Sequence, residues 1–341
     1  MTDAMTTQRT TPSRPRPTPV TTGGAPGARS AGAPQDRGLD VLLRSGTELL
    51  AAAGVPSPRA DAELLAAHVL GASRGEVAAW AVSGRALTGV QAVDLRRLLI
   101  SRSTRTPLQY LTGTAPFRSV DLQVGPGVFL PRPETELVAG RAIEALADAV
   151  RVRGAGTVTG VDLCTGSGAI AAALAAEVPG AQLHAVEADP EAARWAAANL
   201  GPRGVDLHLG DAATALSALD GRVDVVVSNP PYVPDGRIPE QAEARRDPEL
   251  ALYGGGADGM RMPAVIAATA ARLLRPGGVL VMEHDDTQEA AMARLLARDG
   301  LFTAVLTHDD LNDRPRFTEA VRTARPVQGR ATGDDDGTMA P

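Results

Sequence analysis

An α/β fold, with a mostly parallel sheet covered by helices on both faces, is what this 341-residue sequence predicts. Three observations lead there. From residue 134 onward, short runs rich in Val and Leu alternate with Ala-rich stretches of helical periodicity, the pattern of repeated β–α units. The first run ends in the glycine turn Cys164-Thr165-Gly166-Ser167-Gly168 and passes straight into a helix. The last two runs follow each other with no helix between them, which sets an antiparallel hairpin at one edge of the sheet.

From the N-terminus, residues 1–38 are rich in Thr, Pro, Gly, Ser and Ala, with almost no large apolar side chains. Such a segment cannot bury enough surface to offset its ordering entropy and is expected to be a disordered tail. Residues 327–341, with Asp334-Asp335-Asp336, read the same way. Residues 39–103 have helical periodicity and form a small helical domain. Leu42, Leu43, Leu49 and Leu50 mark one apolar face, Ser57-Pro58 starts a second helix running to Leu70, and two more are expected near 76–82 and 89–102. Residues 104–133 turn to short β-type runs with Gly and Pro, at 110–113, 117–124 and 128–130, expected to form a β-hairpin linker. Residues 134–326 make the second domain. Its first helix, 134–152, has acids in its first turn, as the helix dipole favours. Strands then end near 163, 186, 209, 227 and 283, before the closing pair 301–306 and 316–321; helices are expected at 169–177, 262–274 and 286–298.

The chemistry sits where these strands end. Behind Asp162, the glycines of the first turn let backbone approach a ligand closely and leave helix N–H groups facing it. The spacing is not the dinucleotide G-x-G-x-x-G, and no Gly-Lys-Ser/Thr phosphate loop is present. The second strand ends in Glu187, whose carboxylate can accept both hydroxyls of a ribose. After the third comes Asp211-Ala212, with the acid set to meet an adenine edge. Singly these features are common; in this order, and followed by an Asn-Pro-Pro-Tyr turn after the fourth strand, they are a strong signal for S-adenosylmethionine. After the fourth strand comes Asn229-Pro230-Pro231-Tyr232. The prolines fix φ and carry no N–H, so the turn is stiff. The Asn229 side-chain oxygen and the Pro230 carbonyl can both accept from one planar –NH2 group, with Tyr232 packed over it. That arrangement suits methylation of an amide or exocyclic amine.

Composition excludes several classes. No apolar run is long enough to span a bilayer, and no signal-peptide pattern opens the chain. The single cysteine, Cys164, forms no internal disulfide and fits a reducing cytoplasm. The five histidines are scattered without ligand spacing, so no metal is expected. All 34 basic residues are Arg, yet the net charge is −6, against a chain-wide nucleic-acid surface. A monomer without membrane or direct nucleic-acid partner is expected.

These motifs together resemble the peptide chain release factor N5-glutamine methyltransferases, the PrmC/HemK family. The resemblance runs from about Leu39 to Arg325 and is carried by Pro107-Leu108-Gln109-Tyr110, Phe129-Leu130-Pro131-Arg132-Pro133-Glu134-Thr135-Glu136, the glycine turn, Asn229-Pro230-Pro231-Tyr232, and Asp247-Pro248-Glu249-Leu250-Ala251-Leu252 with Gly254-Gly255 and Asp258-Gly259. It implies a Rossmann-like class I S-adenosylmethionine-dependent methyltransferase domain with a seven-stranded sheet, preceded by the helical domain, acting here in substrate recognition, and a hairpin. It further implies cofactor contacts from Asp162, Cys164, Thr165, Gly166, Ser167, Gly168, Glu187, Asp211, Ala212 and Asn229. The substrate glutamine, in a release factor's Gly-Gly-Gln motif, would be held by Asn229, Pro230, Pro231 and Tyr232, of which Asn229, Pro230 and Tyr232 serve catalysis. Cys164 stands where the family usually has Gly, Glu187 where it has Asp, and the stretch at Arg245-Arg246-Asp247 is shortened. The rival is a DNA or RNA exocyclic-amine methyltransferase, acting on adenine N6, cytosine N4 or guanine N2 through the same turn. It would require a base-flipping, basic recognition region that is not seen in the sequence.

Overall fold

The computed structural model describes residues 38–238 and 241–324. The two segments read as tails lie outside the described residues, apart from Gly38, which bridges to Ala86. Four helices come first: α1 (Leu39–Ala52), α2 (Pro58–Leu70), α3 (Arg74–Val82) and α4 (Gly89–Ser103). Pro58 in the first turn of α2 and Gly71 at φ 61 behind its end delimit that helix. Reciprocal capping by Ser73 with Glu76 and by Thr88 with Gln91 starts α3 and α4. Leu39, Leu43, Leu50, Leu65, Val77 and Leu95 are wholly buried in one core. Leu49, expected beside Leu50, instead stands 39% exposed. Gly46 lets α1 and α4 cross closely, since a Cβ there would lie 2.7 Å from Leu99 Cδ1.

The linker is shorter than its sequence pattern suggested. Only β1 (Thr114–Phe117) and β2 (Val120–Gln123) pair. The β-type run at 110–113 is corrected to a helical turn, α5 (Leu108–Thr112), bounded by Pro107 and by Gly113 at φ 75. The run at 128–130 joins no strand; Val128 and Leu130 are buried beside the hairpin instead of pairing.

The second region follows in order: α6 (Thr135–Arg153), β3 (Val158–Leu163), α7 (Ala169–Glu177), β4 (Ala181–Glu187), α8 (Pro190–Leu200), β5 (Asp206–Leu209), β6 (Val223–Ser228), the short α9 (Glu249–Leu252), α10 (Arg261–Leu273), β7 (Leu274–Glu283), α11 (Glu289–Ala297), β8 (Phe302–Asp309) and β9 (Pro315–Arg322). The seven strands run in the order β5-β4-β3-β6-β7-β9-β8. All neighbours pair in parallel except β9, which is antiparallel to β7 and β8. Alternation along the strands separates two cores. Val225 and Val227 pack with α6, α7, α8 and the hairpin, whereas Val226 packs with α10 and α11. The strand order reverses between β3 and β6, the place where open α/β sheets bind ligands beyond their strand ends.

Charged side chains tie the helical region to the segment after β6. Glu243 takes both Arg105 Nε at 2.8 Å and Nη2 at 2.7 Å, and Arg102 Nη2 at 2.9 Å. Arg102 also binds Asp61 at 2.8 Å, and Arg132 pairs with the buried Asp247. The Arg105 guanidinium, joined by Arg102 and opposed by burial, holds the Glu243 carboxyl down at about 2. Because the folded value lies below the ordinary 4.5, this stability is present above pH 4.5 and lost as pH falls toward 2. Glu243→Gln should therefore lose about 1–3 kcal/mol at pH 7. In denaturant titrations the deficit should narrow steadily in acid; an equal deficit at every pH would show the contact to be non-electrostatic.

Candidate active site

Two turns leave the sheet side by side. Leu163 of β3 lies opposite Ser228 of β6, and the buried Ser228 hydroxyl donates to the Leu163 carbonyl at 2.7 Å. The next residues, Cys164 and Asn229, begin the glycine turn and the Asn-Pro-Pro-Tyr turn. Between them opens a cavity of about 340 Å³. Phe129, Pro131 and Thr135 line it from before and at the start of α6, residues 250–255 from α9 and its exit, and Met262 and Val265 from α10.

The glycine turn is fixed from beneath. The Thr165 N–H donates to Val186 O at 3.0 Å, and its hydroxyl donates to Asp162 Oδ2 at 2.6 Å, which also accepts the Ala171 N–H. Burial, partly offset by those two donors, pushes the Asp162 carboxyl up to about 7, and Oδ1 has no hydrogen-bond partner. Asn199 of α8 donates to Ser167 O at 2.8 Å and exchanges two bonds with Gln123, locking turn, helix and hairpin together. Cys164 carries φ 59, a conformation that favours glycine, and burial raises its thiol pKa further from neutrality. Gly166, at φ 57, would send a Cβ into open space. Glu187 Oε2 accepts the Gly166 N–H at 2.7 Å, while Oε1 accepts Ala188 and Asp189 N–H, both at 2.9 Å. Burial nonetheless raises its pKa.

The Asn-Pro-Pro-Tyr turn is held on three sides. Asn229 Nδ2 donates to Thr135 Oγ1 at 3.2 Å, leaving the side-chain oxygen for the cavity. The Tyr232 hydroxyl donates to Glu283 Oε1 at 3.2 Å, and Gln288 Nε2 donates to the Tyr232 carbonyl at 2.9 Å. Behind the turn, the Val233 N–H donates to Leu252 O and the Gly254 N–H donates to Val233 O.

Of the residues singled out in the sequence, Cys164, Thr165, Gly166, Ser167, Glu187, Ala212, Asn229, Pro230, Pro231 and Tyr232 line the cavity. Three do not reach its wall. Asp162 supports the turn from below, Gly168 at φ 83 packs on Leu200, and Asp211 caps its own loop by accepting the Ala213 N–H. Gly210 and Ala212 line the wall on either side of Asp211. Thr135, Asn199, Glu283 and Gln288 were not identified from sequence. Thr135 lay inside the Pro-Arg-Pro-Glu-Thr-Glu segment, which could have pointed to it; the other three act through contacts 30 to 76 residues distant.

One close approach generates a test. A Cβ on Gly254 would press on Gly259 O and stand 2.7 Å from Pro231 O and 2.8 Å from Tyr232 Cα. Gly254→Ala should therefore displace the turn, with about 1–3 kcal/mol of destabilisation and loss of methyl transfer. Native melting temperature and native transfer together would show that the turn tolerates the methyl group.

Residues 41–113 match the family described as PrmC N-terminal domain, and residues 140–245 the one described as Methyltransferase small domain. The chain is 49% identical over 280 residues to the release factor glutamine methyltransferase of Streptomyces coelicolor, covering 80% of this chain and 94% of that one. It is 45% identical over 294 residues to the release factor glutamine methyltransferase of Bifidobacterium longum, covering 82% and 98%. It is also 38% identical over 280 residues to the 4-amino-L-phenylalanine/4-methylamino-L-phenylalanine methyltransferase of Streptomyces pristinaespiralis, covering 81% and 92%. Matched in both its parts and along nearly the whole length of these relatives, the chain belongs to the release factor glutamine methyltransferase family.

Proposed function

We propose that this enzyme transfers the methyl group of S-adenosylmethionine to the side-chain amide nitrogen (N5) of the Gly-Gly-Gln glutamine in peptide chain release factors. The observation that carries the proposal is the match, helical region included, to release factor glutamine methyltransferases along nearly their whole length, with Asn229 placed on the cavity wall and its amide nitrogen 3.2 Å from Thr135 Oγ1. The cavity suits the cofactor: about 340 Å³ is within the range of small-molecule sites, and Gly166 lines one wall with backbone alone. In this reading Glu187 receives the ribose hydroxyls on lone pairs not used by its three backbone donors. The backbone of Thr165, Gly166 and Ser167 faces the rest of the cofactor, with Gly210 and Ala212 beside the base. When bound, the sulfonium supplies an electrophilic methyl group and leaves as a neutral thioether.

A carboxamide nitrogen is a poor nucleophile because its lone pair is delocalised into the carbonyl. Asn229 Oδ1 and the Pro230 carbonyl accept its two N–H groups, turning the lone pair toward the methyl carbon. Both bonds strengthen as the nitrogen gains positive charge, and one proton then leaves to solvent. This is catalysis by orientation and preorganised electrostatics. Action as a cytoplasmic monomer without nucleic-acid or membrane partner belongs to the same reading. It is supported by the net charge of −6, the lone cysteine, and the lack, among the described residues, of a helix long and apolar enough to cross a membrane.

Two outcomes check these assignments. Asn229→Ala should nearly abolish single-turnover transfer to intact release factor while cofactor affinity stays close to native; near-normal transfer would remove Asn229 from the mechanism. Glu187→Ala should weaken S-adenosylmethionine binding in calorimetry by about 1.5–3 kcal/mol, and unchanged affinity would mean that the ribose lies elsewhere. Mass spectrometry after incubation with labelled cofactor should find the label on the release-factor glutamine. Because one relative is named for an aromatic amine substrate, 4-amino-L-phenylalanine belongs in the same assay; preferential labelling of it would overturn the protein-substrate assignment.

A further inference from the structure

The Asn-Pro-Pro-Tyr turn is gripped by two segments that come from different parts of the chain. On one side Asn229 Nδ2 donates to Thr135 Oγ1 at 3.2 Å, and the Thr135 N–H donates to the Arg132 carbonyl at 3.1 Å. On the other the Val233 N–H donates to Leu252 O at 2.9 Å, and a Cβ on Gly254 would stand 2.7 Å from Pro231 O. Leu252 ends α9, a single helical turn whose N-cap is Pro248, the residue after Asp247. Both segments also line the cavity, one through Phe129 and Pro131, the other through Pro248 and Leu250.

At their other ends the two segments are joined to each other. Arg132 Nη2 donates to Asp247 Oδ2, a contact between residues 115 apart in sequence. The Asp247 side chain is wholly buried, and its Oδ1 has no hydrogen-bond partner. A buried carboxylate deprived of its counter-charge is strongly destabilised, so the pair holds both segments to one spacing. Arg132 is also seated over the Phe129 ring, with Cζ 5.1 Å from the centroid. The turn 229–233, the arm 132–135 and the arm 247–254 therefore form a closed ring, hydrogen-bonded at all three junctions. The glycine turn stands outside this ring. Its supports are Asp162, Val186, Glu187 and Asn199.

We propose that Arg132 and Asp247 are positioning residues of the methyl transfer, a clasp that closes the ring and holds the Asn-Pro-Pro-Tyr turn against the cofactor. The inference rests on Asn229 and Pro230 being the acceptors for the substrate amide. With the clasp open, the turn keeps its own residues but its two grips can move apart, and the amide is aimed less well. Cofactor binding, which depends on the glycine turn, is spared. A pair that merely stabilised the fold would behave differently: breaking it would lower the melting temperature and leave folded enzyme transferring at the native rate.

The test uses the full-length chain, intact release factor and saturating S-adenosylmethionine. Asp247→Asn and Arg132→Met should each lower the single-turnover rate by about tenfold, the loss expected for a hydrogen bond between charged groups. Cofactor affinity should stay within about twofold of native, and Arg132→Lys, which keeps the charge, should transfer faster than Arg132→Met. In the double variant the second change should add little to the first, since both open the same clasp. Native transfer by folded Arg132→Met, additive losses in the double variant, or a loss of cofactor affinity as large as the loss of transfer overturns the clasp. If Asp247→Asn fails to fold, Arg132→Met decides, because the Arg132 side chain is 26% exposed and can be replaced without leaving a buried void. An active Asn229→Ala removes the acceptor reading on which the clasp depends, whereas an inactive Asn229→Ala beside native transfer in Arg132→Met removes the clasp alone.

Discussion

The parallel pairing of β3 with β6, fixed where Leu163 stands opposite Ser228, is the constraint from which the site follows. A one-residue slip would turn Val225, Val226 and Val227 to the wrong cores, so burial on both faces holds the register. The Ser228 hydroxyl, completely buried, finds its partner in the Leu163 carbonyl and binds the two strand ends at the point where both stop. The glycine turn and the Asn-Pro-Pro-Tyr turn therefore begin at the same level and open to the same side. In the proposed reading, methyl donor and amide acceptor are thereby brought together by sheet geometry before any catalytic side chain is considered.

Around that point the protein holds groups fixed instead of supplying reactive ones. Asp162 and Glu187 anchor the glycine turn through backbone and hydroxyl donors. Asn199 joins it to the hairpin, and Gln288 binds the Tyr232 carbonyl together with that of Asp258. Buried carboxylates at such positions are costly unless their donors are in place, which makes the whole arrangement stiff. A reaction that depends on aiming a weak nucleophile benefits from this stiffness, because misplacement of the amide by a fraction of an ångström lowers the rate steeply. Arg132, beside the cavity residue Pro131, pairs with Asp247, and the ion pairs from Arg102 and Arg105 to Glu243 extend the same frame to the end of the helical region. The segment following the amide turn is thereby fastened to a part of the chain that carries no cavity residue of its own.

Much of this was legible in the sequence, for identifiable reasons. The β–α alternation is a local signal, and so are turns whose residue types serve backbone conformation, such as Gly166 and Gly168 at positive φ. The cavity wall was read residue by residue wherever a strand end dictated it, as at Glu187 and Asn229. The linker departs from its pattern: the aromatic and β-branched run at 110–113 closes as a helical turn between Pro107 and Gly113. Asp211 stands off the cavity wall, with Oδ1 accepting the Ala213 N–H. The supporting residues were invisible for another reason: Thr135, Asn199 and Glu283 look like ordinary helix and strand polar residues until long-range folding sets each against its partner.

The account is tested most directly by a crystal structure of this chain with S-adenosylhomocysteine and a glutamine-bearing release-factor domain. It predicts the glutamine amide nitrogen between Asn229 Oδ1 and the Pro230 carbonyl, within hydrogen-bond distance of both, about 2.7–3.2 Å, with Asn229 Nδ2 still on Thr135. A glutamine bound elsewhere, or an Asn229 amide turned with its nitrogen toward the substrate, would contradict it.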